Sequence, residues 1–276
     1  MDLPPEKLGI TPEQTWVGWH SELFTTVCDG AKAVKKEYIR VRRILPNGEA
    51  IWLPVDFYND PDQFCYLMHP NVVQIYKRDE DHCVLEYMER GMLRDLLFES
   101  EDVLDWETLR HMIADIAKGM AYLHGKNVMV FLSDDKVMVG KDYTCKISGV
   151  DCIRTEPQCT TGYDSMHAQN ARFYSPEKLR ADELDDEKSD VYSLGCIIYT
   201  MLMREHPFEG VEPTMKLLTL IASKTTPEQH KPLPEDVPDD IIDLMRACWQ
   251  DEADRPSFQN IADAFDAEVD PLDSVD

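Results

Sequence analysis

The sequence feature that most constrains the fold is a change of hydrophobic pattern at Gly91. Before it, from about 22 to 88, short segments alternate between apolar and polar residues, which predicts β-strands. After it, apolar residues recur at three- and four-residue spacing, most clearly over Trp106–Leu123, which predicts an amphipathic helix. Strands followed by helices predict an α+β chain with two lobes.

Turn-forming residues divide the first part of the chain into elements. Glu37–Ile44 and Glu49–Phe57 are predicted to form a hairpin around the turn signal Pro46-Asn47-Gly48. Asp60-Pro61 resembles a helix start, with proline at the first helical position. The other expected segments are strands at Val72–Tyr76 and His82–Glu86, a strand-rich stretch at Val128–Ile153, and helices at Met92–Phe98, Pro176–Arg180, Ser189–Met203, Thr214–Ser223, Asp239–Gln250 and Phe258–Glu268.

Charge and cysteine usage exclude several classes of protein. Lys plus Arg is 28 and Asp plus Glu is 53, so the formal net charge of −25 argues against general binding of nucleic acid. The chain has neither a membrane-length apolar run nor a secretory signal at its start, so a soluble cytoplasmic protein is expected. None of the eight cysteines forms a CxxC pair, so reduced thiols are expected rather than a zinc site or disulfides.

Six short motifs between His69 and Pro256 resemble those of protein kinases, and their sequence pattern is closest to that of the tyrosine-kinase-like group. They occur in the family's order over roughly 69–268. The matching segments are His69-Pro70-Asn71-Val72-Val73, Val84–Gly91, Met120-Ala121-Tyr122-Leu123-His124, Ser175-Pro176-Glu177, Ser189–Gly195, and Cys248-Trp249 with Asp254-Arg255-Pro256.

This resemblance implies a bilobal kinase-like fold with a small antiparallel N-lobe sheet and a larger, mainly helical C-lobe. The expected boundaries are an N-terminal arm at 1–16, one domain at 17–268 with lobes at about 17–88 and 89–268, and an acidic tail at 269–276. It also implies that Glu177 and Arg255 form a buried ion pair, and that Asp190 accepts hydrogen bonds from the catalytic-loop backbone. The gatekeeper would be Leu85, and the hinge would be Glu86, Tyr87 and Met88.

In the same comparison, the parts that bind phosphate differ from the family pattern. The glycine-rich loop would be Val27–Val34, which keeps only Gly30. The β3 lysine would be replaced by Asp56, so attraction for phosphate would become repulsion. Asp60 or Asp62 would stand at the place of the αC glutamate, where either would face Asp56 without forming an ion pair.

The catalytic motifs would also be altered. Spacing from Lys136-Val137-Met138-Val139 and Lys146-Ile147-Ser148 places His-Arg-Asp at Met129-Val130-Phe131, and Asp-Phe-Gly at Gly149-Val150-Asp151. The catalytic base would be Phe131, the loop lysine Ser133, and the metal-binding asparagine Lys136. Met129 and Val150 would keep the apolar character of the spine that connects the lobes.

These replacements predict a pseudokinase that is not an enzyme, without bound metal, cofactor or ATP, that acts as a protein-binding scaffold or allosteric regulator in signalling. The alternative is a divergent ATP-binding serine/threonine or tyrosine protein kinase that uses displaced residues such as Asp134, Asp135 or Asp151. The expected partner is a protein, such as an active kinase or another signalling protein. Arg40 and Arg42, on one side of a strand, are the candidate partner surface, which would attract acidic groups. The sequence does not determine the oligomeric state.

Overall fold

The computed structural model describes ten stretches of the chain. These are residues 13–17, 21–38, 40–44, 50–54, 66–79, 82–128, 130–150, 171–179, 187–212 and 214–268.

An antiparallel five-stranded sheet forms the N-lobe in the described residues. Its strands are β1 (Glu13–Val17), β2 (Ser21–Cys28), β3 (Ala31–Tyr38), β6 (Ile75–Arg78) and β7 (His82–Glu86), in the order β1-β2-β3-β7-β6. Strand β1 begins inside the segment that was expected to be an arm, since it pairs with β2. Strands β4 (Arg40–Ile44) and β5 (Ala50–Pro54) form a separate hairpin, at the place where the sequence predicted one.

The turn between β2 and β3 decides which strand is central. Asp29 and Gly30 both have positive φ angles, 48° and 83°, as in the two-residue turns whose twist matches that of paired strands. Gly30 therefore closes the hairpin between the second and third strands of the sheet. The assignment of Val27–Val34 as the glycine-rich loop is wrong, because it placed this hairpin before the second strand. The first hairpin of this sheet instead joins β1 to β2, and its connection, residues 18–20, lies outside the described residues.

The C-lobe is helical, and its main core surrounds α3. The described residues form seven α-helices: α1 (Leu93–Glu99), α2 (Trp106–His124), α3 (Glu187–Met203), α4 (Thr214–Ala222), α5 (Pro227–His230), α6 (Asp239–Cys248) and α7 (Phe258–Glu268). Helix α3 is buried almost all round, with Leu194, Ile197 and Ile198 inaccessible to solvent. Helix α2 begins at the cap Asp105, whose side chain accepts a hydrogen bond from the Thr108 N–H. The predicted bilobal, kinase-like α+β fold is confirmed.

A two-stranded ribbon and one loop lie between the two lobes. Strands β8 (Val137–Val139) and β9 (Cys145–Ile147) pair next to α2, and residues 130–136 connect the end of α2 to β8. Residues 176–179 form turns, so the helix predicted from Pro176 is wrong. Most of the helix predicted after Asp60 lies outside the described residues. No described helix is long and apolar enough to cross a bilayer, and the five cysteines that the structure describes are free thiols.

Candidate functional site

The lower face of the sheet is identified by the register of its strands. Val34 pairs with Leu85, and Leu85 pairs with Ile75 on the other side. Directly paired residues lie on the same face of a sheet. Ile75 belongs to the main hydrophobic core and Leu85 packs against it, so this face looks toward the C-lobe.

Two adjacent lysines on β3 consequently lie on opposite faces. Lys36 pairs with the buried Cys83 and shares the lower face with Val34, two residues away. Lys35 lies on the other face, where its ammonium forms an ion pair with Glu37 at 2.6 Å. Of these two adjacent lysines, Lys36 is therefore the one that faces the cleft between the lobes.

This register corrects the position of the β3 lysine. In protein kinases this lysine is the fourth residue of a Val-Ala-Ile-Lys pattern on the third strand. The third strand here offers two windows with lysine in fourth place, Lys32-Ala33-Val34-Lys35 and Ala33-Val34-Lys35-Lys36. The face of the sheet selects Lys36. Asp56 follows β5, which pairs with β4 and not with the central sheet, so the assignment of Asp56 to this position is wrong. The positions of Asp56, Asp60 and Asp62 lie outside the described residues.

The segment after β7 connects the two lobes. The Glu86 carboxylate forms an ion pair with Lys146 on β9, at 2.6 Å. The Lys32 ammonium lies 3.7 Å from the centre of the Tyr87 ring, and Met88 is buried. Because the Val139 N–H donates to the Gly91 carbonyl, the end of this segment is fixed to the ribbon.

The loop from Val130 to Lys136 is held from below by Asp190 on α3. The Asp190 carboxylate accepts a hydrogen bond from the Leu132 N–H at 3.0 Å and lies 3.0 Å from His124 Nε2. All of these groups are buried, so the hydrogen bonds offset the cost of removing the carboxylate from water. The sequence named Asp190 for this contact, and the structure brings it to the loop. Val130 and Val150 are buried in the main core, whereas Met129 and Asp151 lie outside the described residues.

Phe131 projects from this loop and is 49% exposed. The Lys178 ammonium lies 3.6 Å from the centre of its ring and 4.3 Å from the centre of the Tyr174 ring. Lys178 thus makes cation–π contacts with an aromatic residue on each side of the cleft floor.

Two carboxylates in the loop have different surroundings. Asp134 is completely buried and receives hydrogen bonds from Arg94 Nη2 at 2.6 Å and Nε at 3.1 Å. Burial lowers the pKa of the neighbouring His206, and Asp134 offsets only part of that effect. Asp135 is half-buried and accepts a hydrogen bond from the buried Ser133 hydroxyl. Arg94 thus binds one oxygen of the buried Asp134, whereas Asp135 remains accessible to solvent.

Lys136 lies against Gly149 at the end of the ribbon. A Cβ atom built on Gly149 would be 3.2 Å from Lys136 Cδ and 3.5 Å from its Nζ. The backbone of Lys136 is fixed on both sides, because its N–H donates to Ser133 O and its carbonyl accepts from Ser148 N–H. The lysine ammonium therefore lies beside the place where a side chain of residue 149 would begin.

The end of the activation segment is tied to the C-lobe by Glu177 and Arg255. Arg255 is 4% exposed and donates to both carboxylate oxygens of Glu177. Burial alone would raise the pKa of Glu177, but the hydrogen bonds and charge of Arg255 lower it overall. The structure thus brings together the ion pair named from the sequence. The side chains of Arg40 and Arg42 lie outside the described part, and their partner surface stays a prediction.

Comparison with known proteins gives the same family from an independent source. A family model described as "Protein tyrosine and serine/threonine kinase" matches residues 21–265. "Probable serine/threonine-protein kinase drkC" of Dictyostelium discoideum is 32% identical over 77% of this chain and 29% of its own length. "Serine/threonine/tyrosine-protein kinase HT1" of Arabidopsis thaliana is 29% identical over 71% of this chain and 50% of its own. The chain thus spans half or less of these relatives.

These matches contradict one prediction from the sequence. The chain was expected not to be an enzyme, but its family and its relatives point to an enzyme. A further relative is "Serine/threonine-protein kinase CTR1" of Arabidopsis thaliana, at 31% identity over 71% of this chain and 24% of its own length. Part of the sequence argument rested on the loss of the β3 lysine at Asp56, and the strand register removes that part.

Proposed function

Since the chain belongs to the protein tyrosine and serine/threonine kinase family, we propose that it is a divergent protein kinase domain that binds ATP between its lobes. It transfers the γ-phosphate to a hydroxyl group of a protein. The observation that carries the proposal is the position of Lys36 on the lower face of the central strand. In the family, this lysine contacts the phosphates of the bound nucleotide.

The surface beside Lys36 suits a nucleobase. Val34 and Leu85 lie on the lower face of the sheet, and Val27 lies on the same face at its edge, 50% exposed. Met138 lies on the face of the ribbon that also holds Lys146, next to the hinge residue Glu86. Ligand sites are commonly apolar concavities with a few polar groups that fix orientation. These four side chains would enclose a planar base while Lys36 contacts the phosphates.

The proton of the substrate hydroxyl needs an acceptor within hydrogen-bond distance. Phe131 has none to offer, and Asp134 is buried with both hydrogen bonds of Arg94 on one of its oxygens. Asp135 is accessible, so we assign it the role of base. The hydroxyl oxygen would bond to the γ-phosphorus, the bond from that phosphorus to the β,γ-bridging oxygen would break, ADP would leave, and Asp135 would take the proton.

A second candidate function is regulation by binding another signalling protein. The observation that favours it is the exposed Phe131 ring beneath Lys178, with Tyr174 on the other side. Aromatic residues are enriched in protein-binding surfaces relative to the rest of the protein surface. The substrate or partner would approach from this side in either role.

The test compares two neighbouring lysines on opposite faces of one strand. ATP affinity is measured by calorimetry, with and without Mg²⁺, for the unmodified protein, Lys36→Ala and the control Lys35→Ala. Lys36→Ala should weaken ATP binding about tenfold or more, because it removes a charged phosphate contact. Lys35→Ala should bind like the unmodified protein.

A radiolabelled-ATP assay then tests the transfer step with Asp135→Asn, which should lose transfer while keeping ATP affinity. Absence of ATP binding under every condition would overturn the proposal, and so would equal binding by both lysine variants. Unchanged transfer by Asp135→Asn would refute the assignment of the base.

A further inference from the structure

The residues at the family's two metal-binding positions do not fit a magnesium ion. Protein kinases hold magnesium with the aspartate of Asp-Phe-Gly and the asparagine of the catalytic loop. Spacing along the chain puts Gly149 and Lys136 at these positions. Magnesium requires oxygen ligands in a near-octahedral arrangement. Glycine has no side-chain ligand and an ammonium repels the cation, and within the described residues no cluster of metal-binding side chains replaces them.

Backbone hydrogen bonds fix Lys136 at the metal-binding position of the family. Its backbone N–H donates to Ser133 O at 3.0 Å, and its carbonyl accepts from both the Ser148 N–H at 2.8 Å and the Ser148 hydroxyl at 3.1 Å. These bonds hold the root of the side chain between the loop and the ribbon. Ser148 comes directly before Gly149, so the same contacts fix the distance between residues 136 and 149.

Gly149 lies directly against the lysine side chain. Its φ angle is +85°, which disfavours other residues, and a Cβ there would lie 3.2 Å from Lys136 Cδ. An aspartate at 149 would therefore press on the lysine stem and place a carboxylate beside the ammonium. In the part of the chain that the structure describes, Lys136 forms no ion pair.

We infer that the Lys136 ammonium takes the place of the metal, so that this cleft binds a nucleoside triphosphate without a divalent cation. This inference rests on the proposed nucleotide binding. Magnesium neutralises triphosphate oxygens in the family, and here a fixed ammonium provides positive charge at the same position, in addition to Lys36 on the lower face of the sheet. Such a cation is needed locally, because the whole chain carries a formal charge of −25 and would otherwise repel the triphosphate.

Magnesium should then weaken binding instead of strengthening it. A metal-bound triphosphate carries less negative charge than the free one, and its metal would meet the like-charged ammonium. ATP affinity should therefore be higher in EDTA than in excess Mg²⁺.

The experiment measures ATP affinity by calorimetry in EDTA and in excess MgCl₂ for the unmodified protein, Lys136→Asn and Lys141→Asn. Lys141 is a matched control, since it is an exposed lysine at the turn of the same ribbon. In EDTA, Lys136→Asn should bind about tenfold more weakly than the unmodified protein, and Lys141→Asn should bind equally. Thermal shift with and without ATP on the same samples reports whether each variant is folded.

The outcomes separate this inference from the proposed function. ATP binding by the unmodified protein only in MgCl₂ would overturn the inference and leave the nucleotide-binding proposal intact. Binding in neither condition would overturn both. Binding in EDTA that is equally strong in folded Lys136→Asn would refute the role assigned to Lys136.

Discussion

Replacement of Arg255 by methionine should destabilise the C-lobe strongly. The guanidinium donates to both oxygens of Glu177, to Lys188 O at 2.9 Å and to Gln250 O at 3.0 Å. Methionine fills much of the same volume but provides no donor. Arg255→Met would therefore leave a carboxylate and two carbonyls without these partners.

The magnitude follows from the burial of the two partners. Breaking a buried ion pair by removing one side costs about 3–5 kcal/mol, because the remaining charge is left unpaired. The Glu177 side chain is 23% exposed, so water compensates for part of the loss and the lower end of that range applies, about 3 kcal/mol. One kcal/mol shifts the Tm of a domain of this size class by about 2–4 °C, so we expect a decrease of about 6–12 °C.

The assay is thermal unfolding followed by circular dichroism, and Arg246→Met is the control. Arg246 also contacts both oxygens of one carboxylate, Glu228, but its side chain is 53% exposed. Surface ion pairs of this kind contribute little, so the control should shift Tm only slightly. Equal shifts for the two variants would refute the argument that burial gives the Arg255 pair its strength.

Two further predictions concern fixed charges in the C-lobe. Arg204→Met should lower the free energy of unfolding by about 2–3 kcal/mol in urea titrations, since a charged donor that satisfies several carbonyls at a helix end is lost; an unchanged midpoint would contradict this. The carbonyls that accept from Arg204 are those of Leu96, Leu97, Ser100 and Asp102. The pKa of Glu177 lies below its ordinary value of 4.5, so its contribution to stability is present above about pH 4.5 and is lost as the pH falls through the folded-state pKa. Glu177→Gln should be less stable at pH 7 and lose less Tm between pH 5 and 3; parallel pH profiles would show that this group does not titrate as argued.

The C-lobe could be predicted well from the sequence because its signals are local. The period of apolar residues predicted a helix at Trp106–Leu123, and the structure has it at Trp106–His124. The segment beginning at Ser189 was likewise helical, although the helix starts two residues earlier, at Glu187. The helix predicted at Pro176–Arg180 is wrong, because the residues there form turns. The polar groups make local contacts instead, such as the hydrogen bond from the Lys178 N–H to Ser175 Oγ at 3.3 Å.

The N-lobe was harder to predict from the sequence, because two turn signals within thirty residues could each mark the hairpin that leads into the central strand. Pro46-Asn47-Gly48 was recognised as a hairpin turn, and it does lie between β4 and β5. Asp29-Gly30, the dipeptide that best fits a two-residue hairpin, was instead assigned to a phosphate-binding loop. Choosing the later hairpin moved the expected central strand by some twenty residues and put Asp56 at the lysine position.

The choice between Lys35 and Lys36 could not be made from the sequence at all. Neighbouring residues in a strand point to opposite faces, and a one-residue change of register exchanges those faces. Both lysines fit the local pattern equally well. Only the pairing of Val34 with Leu85, and of Leu85 with Ile75, identifies the face that looks toward the core.

The two changes at the metal positions are best understood as one physical substitution. Gly149 accommodates the lysine at 136, since a Cβ there would come within 3.2 Å of its stem and would crowd it. A carboxylate at 149 would compete with phosphate for the ammonium, so keeping that aspartate would weaken any phosphate contact by Lys136. The absent carboxylate and the added lysine therefore depend on each other, and their joint effect is to replace a metal-bound charge by a covalently attached one. Because that charge cannot dissociate with the nucleotide, the cleft retains its attraction for phosphate in every state of the protein.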